Sequence, residues 1–258
     1  MGLMTVLIDR PLLTFIVALL AQWLAAYAGS LLRRSAREQT PEEREGFNTV
    51  KAAILTLLAL IIGFAFSMAV SRYDQRKNFE EAEANAIGTE YVRADLLPAA
   101  DAAHVRELLR SYVEARIESY QTRDLAALAR TSRETARLEG QLWSAIIPAT
   151  TAQPTPVAAL VVAGMNDVLN SQGYTQASWW NRTPVAGWIL MLAIAIACNM
   201  LLGYGHGHRR RNAGLLTILP IVVAISFFLI ADIDSPQLGF IRIKPLNLIA
   251  LLDSIGPK

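Results

Sequence analysis

The chain has one cysteine, Cys198, and three histidines in 258 residues. A single thiol inside an apolar run builds no disulfide framework and no thiolate metal cluster within one chain. His206 and His208 lie close in sequence but have no third ligand near them, so no metal site is expected. An excess of one charge sign is missing too. The net charge of +2 leaves no electrostatic footprint for a nucleic-acid partner. Charged residues make up 18% and hydrophobic ones 53%, too apolar for an ordinary soluble domain and too charged for a chain wholly within lipid. There is no P-loop, no Gly-x-Ser-x-Gly elbow and no His-Glu-x-x-His. The sequence therefore reads as non-enzymatic, and it implies no cofactor.

Long apolar runs are present. Pro11 to Leu32, Ala52 to Val70, Val185 to Tyr204 and Ala213 to Ala231 each approach the ~20 residues that a helix needs to cross a bilayer. None carries an acidic or basic residue in its interior. The expected fold is all-α: an integral membrane protein with four transmembrane helices and a helical-bundle insert outside the membrane, between spans two and three. The expected domains are 11–70, 71–184, 185–232 and a docked tail, 233–258. Ala26 and Ala28 form a small-x-small pattern that a signal peptidase can cut. Against that, the run is long and Arg33-Arg34 follow it directly, as after a span.

Positive charge gives the orientation. The link after span one holds Arg33, Arg34, Arg37, Arg44 and Lys51, and the link after span three holds Arg209, Arg210 and Arg211. Both are placed in the cytoplasm of a bacterial inner-membrane protein, with the central domain and C-terminus on the other side. The insert's own flanks, with Arg72, Arg76, Lys77 and Arg182, make this bias moderate.

The insert has helical periodicity. Span two continues without Pro to about Leu97, where Pro98 stops it. Val105, Leu108, Leu109, Tyr112, Val113, Ile117 and Tyr120 form one stripe over about Ala99–Gln121, and Leu125 to Ile146 suggest another helix. "PATTAQPTP" reads as a loop, and Thr155-Pro156 as the start of a further helix. In the tail, "LGFIRI" reads as extended and Leu246–Ile255 as a short docked helix.

The junction of span two with the insert is the candidate site. Phe64, Phe66 and Met68 are bulky enough to form a pore constriction. Arg72, Tyr73, Asp74 and Arg76 follow as pore-mouth charges and polar groups, where cations raise local anion concentration. By topology, Asp232 and Asp234 lie at the depth of Arg72 and Arg76 and are expected to pair with them. The plainer reading is a snorkelling, salt-bridged helix end beside a tight helix contact, with Ala82 and Ala86, and Ala84 and Gly88, as small-xxx-small pairs.

Other signals read as structural. "GYGHGH" is a turn rather than an ion filter. Asn199 is a helix–helix hydrogen bond or a pore-lining group. Trp179, Trp180 and Trp188 are interfacial anchors, and Tyr91, Tyr112 and Tyr120 are bundle packing. The acidic stretch with Glu80, Glu83 and Glu90 reads as a solvated helix face.

"IIGFAFSMAVSRYDQR", "EANAIGTEYVRADLLP" and "ADIDSPQLGFIRI" together resemble a bacterial membrane family called bestrophin-like, over nearly the whole chain. The family's layout is two spans, a helical insert and two spans. Gly63-Phe64 followed by Arg72-Tyr73-Asp74 is similar to span two of true bestrophins, which are pentameric and mostly anion-conducting channels. Here the spacing is longer by about one turn, and the paired tryptophans that follow in bestrophins are absent. Bestrophins also keep their insert in the cytoplasm. The resemblance implies an oligomeric channel for small anions in contact with membrane lipid. The other reading is a non-conducting sensor or interaction protein whose bundle binds a ligand or partner.

Overall fold

A computed structural model describes residues 10–35, 37, 39–206 and 213–256. His208 and the basic run Arg209–Arg211 lie outside the described residues. The described residues form eight α-helices and no strand. They are α1 (Pro11–Ser35), α2 (Pro41–Arg93), α3 (Ala99–Gln121), α4 (Leu125–Ala152), α5 (Pro156–Trp180), α6 (Val185–His206), α7 (Ala213–Asp234) and α8 (Leu246–Ile255). Four of the helical stretches are long and apolar enough to cross a membrane. The chain divides into two compact units, Met1–Ser71 with Arg182–Ile241, and Arg72–Asn181 with Arg242–Lys258.

The helix α2 contributes to both units and runs for 53 residues. It starts eleven residues before the apolar run, counting from Pro41 to Ala52. A capping box sets that start: the Glu43 amide donates to Thr40 Oγ1 (3.2 Å), and the Thr40 amide donates to Glu43 Oε2 (3.0 Å). Pro41 takes the first helical position, where a missing N–H costs nothing. Nothing in 42–93 breaks the helix. A 3-10 turn at Ala94–Leu96 and then Pro98 end it.

In the first unit, α1 packs closely on α6 and α7. Buried Ala25, Ala26, Ala195 and Cys198 keep the α1–α6 seam narrow. A Cβ at Gly203 would collide with the carbonyl oxygen of Ala26, and one at Gly29 with that of Met200. Two backbones in contact gain dispersion energy that larger side chains would forfeit. Asn199 is buried and donates to Gln22 Oε1 (3.0 Å) and to its own helix at the Ala195 carbonyl (2.8 Å). It joins α1 to α6, as interhelical amides do. Trp188 is also buried, edge-on to Phe227 with ring centroids 6.1 Å apart. The expected role of Trp188 as an interfacial anchor is therefore corrected.

The second unit has its own apolar core. Ile87 of α2, Val105, Leu109 and Tyr112 of α3, Leu142 and Ile146 of α4, and Val161 and Met165 of α5 pack together with Leu248 of α8. Trp179 belongs to this core, edge-on to Tyr120 at 5.3 Å, so it too is no surface anchor. Only Trp180 of the three is exposed. The expected "PATTAQPTP" loop shrinks to Gln153–Thr155, because α4 runs through Pro148 to Ala152. The Thr150 and Thr151 hydroxyls donate back to the carbonyls of Ile146 and Ile147, the local bond that threonine makes inside a helix. Thr155 Oγ1 then accepts from the Ala158 amide (3.1 Å) and caps α5. The "LGFIRI" segment is bend and coil rather than strand.

The α1–α6 seam leaves no room for a side chain at Gly203. Replacing Gly203 with Leu should destabilise the membrane unit by about 2 kcal/mol or more, read as a lower melting temperature of the purified protein in detergent. Gly63→Ala, whose Cβ would meet no atom within 4 Å, should not lower it.

Candidate functional site

The membrane stretch of α2 is mostly uncovered in the single chain, Phe66 included, and most of all along one face. Leu57, Leu60, Phe64 and Met68 recur at three-four spacing and stay 45%, 51%, 60% and 56% exposed in the single chain. Phe66 lies about 200° round the helix from Phe64. It lines an apolar groove of about 390 Å³ with Leu58, Ile62, Leu219, Val222 and Ser226, between α2 and α7. The three constriction candidates thus fall on different surfaces: Phe64 and Met68 share the bare face, and Phe66 does not. Continued along the helix at the same spacing, that face carries Ser71, Asp74, Asn78, Glu81, Asn85 and Thr89, all exposed and none of them basic.

Arg76 points away from this face. It is 2% exposed, and its guanidinium donates to the carbonyls of Ser178 (3.2 Å) and Asn181 (3.0 Å). Those carbonyls belong to the C-terminus of α5, where the helix dipole favours a cation. Arg76 in this position holds a helix end, which differs from the open pore-mouth role expected of it. Tyr73 packs against the second unit's core, Arg72 is half-buried, and Asp74 is exposed.

The two aspartates at the end of α7 are buried, and both hold backbone in place. Asp232 accepts from the amides of Phe240 (2.6 Å) and Ile241 (2.8 Å), closing the turn after α7. Asp234 accepts from the Thr183 amide (2.7 Å) ahead of α6. Burial lowers the pKa of the Arg182 guanidinium, and the charge of Asp234 opposes that fall.

The acidic stretch of α2 is the main reversal. Glu80, Glu83 and Glu90 are buried, not solvated, and together with Arg76, Ile87 and Ala94 they form the face turned to the bundle. Their spacing, 76, 80, 83, 87, 90, 94, is the three-four rhythm of a core stripe, and that signal was available in the sequence. Charge hid it, since such residues are almost never fully buried unless paired. Glu80 accepts from the Asn247 and Leu248 amides (3.0 Å each) and from Asn247 Nδ2 (2.6 Å). It caps α8, whose own N-cap, Pro245, offers no side-chain bond. Glu83 pairs with Arg116 of α3, and its Oε2 also accepts from Tyr120 (3.3 Å) and from Thr175 of α5 (3.1 Å). Burial, then the charge of Glu83, holds the Tyr112 and Tyr120 phenols well above their ordinary pKa. Burial disfavours the Arg116 cation, but the Glu83 charge and hydrogen bond outweigh it and raise its pKa. The Ala84 and Gly88 pair does admit a helix closely: a Cβ at Gly88 would stand 3.1 Å from Leu251 Cδ1 of α8.

A family model described as Bestrophin-like domain matches residues 13–248. The chain belongs to the Bestrophin-like family. Solved structures agree on the fold. Crystal structures of a bacterial bestrophin homologue from Klebsiella pneumoniae match at 14% identity and TM-score 0.63, covering 95% of this chain and 96% of that one. A second matches at 16% identity and TM-score 0.62, covering 93% of each chain. A search of curated proteins finds no match. This Bestrophin-like chain is a multi-pass membrane protein, as its apolar helices and shared fold establish.

The Glu83–Arg116 pair predicts a specific asymmetry in this Bestrophin-like bundle. Glu83→Leu alone leaves a buried guanidinium without its counter-charge and should cost about 3–5 kcal/mol. Glu83→Leu combined with Arg116→Met should cost clearly less. Thermal unfolding of the three proteins, followed by circular dichroism, checks this.

Proposed function

We propose that the chain assembles with copies of itself into a bestrophin-type ion channel, anion-conducting as the family resemblance implies, with span two lining the pore. The observation that carries this reading is the bare face of α2. A span whose large side chains Leu57, Leu60, Phe64 and Met68 are uncovered in one chain needs lipid or other copies against it. The same face turns polar at Ser71, where the apolar run ends, and stays polar to Thr89, which suits a water-filled vestibule above the span. Around a symmetry axis, Phe64 and Met68 form a hydrophobic neck that gates by dewetting. Phe66, in its groove beside α7, takes no part in the neck.

Ion flux through purified protein in liposomes tests this. Phe64→Ala and Met68→Ala should each raise flux several-fold, and Phe66→Ala should leave it near wild type. Chloride should pass faster than potassium. A potassium preference keeps the pore but transfers selectivity to Asp74 and Glu81, the carboxylates on the bare face. No flux from an inserted, oligomeric protein favours the sensor reading instead.

The positive links between spans one and two and between spans three and four support a bundle and a C-terminus outside the cytoplasm. A reporter fused at Lys258 should be active only on the extracytoplasmic side. Activity in the cytoplasm gives this chain the orientation of true bestrophins.

A further inference from the structure

Four charged residues lie on the buried stripe of α2, and three of them are bonded: Arg76 to α5 carbonyls, Glu80 to α8 amides, Glu83 to Arg116. Glu90 is different. It is fully buried, and among the described residues neither carboxylate oxygen has a hydrogen-bond partner. Its side chain lies across the backbone of α5 at Gly164. A Cβ there would overlap Glu90 Oε2 and the Arg93 guanidinium, so these two side-chain ends occupy the space that the glycine leaves. The charged groups that face it are Arg93, three residues along α2, and Asp167 of α5, three residues beyond Gly164.

An ionised carboxylate without hydrogen bonds is costly in such a seat, and a neutral one much less so. Burial raises the Glu90 pKa from 4.5 to about 8; Arg93 opposes the rise, and Asp167 adds to it. The folded chain therefore holds a proton that the unfolded chain has lost anywhere between those two values. Stability falls as pH rises through that range and levels off above it.

We propose that Glu90 is a proton-operated latch between α2 and α5. With its proton it lies dry across Gly164. On losing that proton to solvent it turns to Arg93 and to water, and this stretch of α2 is released from α5. The latch stands independently of whether the assembly conducts.

The test uses the full chain in detergent micelles. Infrared titration of wild type should show a protonated-carboxyl band that persists at neutral pH and disappears near pH 8, and Glu90→Gln should lack it. Above that midpoint, amides in 86–94 and 160–168 should exchange roughly tenfold faster in wild type than the intrinsic rise with pH accounts for, with no such gain in Glu90→Gln. A band that titrates with ordinary carboxyls, or equal exchange in both proteins, overturns the latch. Asp167→Asn, at an exposed position, gives a second reading if Glu90→Gln fails to fold. Removing that charge should move the midpoint to lower pH, and an unmoved midpoint overturns the assignment.

Discussion

The helical bundle of the second unit depends on one buried carboxylate, that of Glu83. It takes charge-assisted bonds from Arg116 and a phenol bond from Tyr120 on α3, and a hydroxyl bond from Thr175 on α5. Three helices thus meet at two oxygen atoms. The guanidinium is always charged, and neither it nor its carboxylate partner can leave without stranding the other. Around this centre the long side chains of α2 act as struts. Arg76 reaches the end of α5 on one side, and Glu80 reaches the start of α8 on the other. Each strut ends on backbone groups that a helix terminus leaves unbonded.

The membrane unit is held together by the opposite means. Its α1–α6 seam uses small residues and direct backbone contact at Gly29 and Gly203, with the Gln22–Asn199 amide pair inside it. Lipid offers no hydrophobic drive between helices, so closeness and buried hydrogen bonds carry the association. Span two stands outside this seam with its Phe64 and Met68 face uncovered. The same helix that is stapled by charges in the bundle is therefore left free in the span, and the channel reading rests on that contrast.

Much of the fold was legible. The four apolar runs, the helix from Ala99 to Gln121, the short helix Leu246–Ile255 and the unbroken passage from span two into the insert all follow from local pattern. The candidate site was legible only in part. Phe64 and Met68 share a face by spacing alone, and so Phe66 was separable from them without a structure. Arg76 was not: its carbonyl partners lie 102 and 105 residues away in sequence. The acids Glu80, Glu83 and Glu90 were misread because their charge outweighed their rhythm. Trp179 and Trp188 were misread because composition near a span's start suggests the interface, while burial depends on which neighbour comes to cover the ring.

The sequence by itself determined the helices and their membrane-crossing lengths, because each follows from hydropathy, periodicity and breakers within a few turns of chain. Only the tertiary structure decided which charges are buried and what they hold. A carboxylate's fate turns on whether a distant Arg116, an α8 amide or nothing at all arrives beside it, and no local pattern encodes that arrival. Glu80, Glu83 and Glu90 sit on one face of one helix, and those three neighbours give them three different roles.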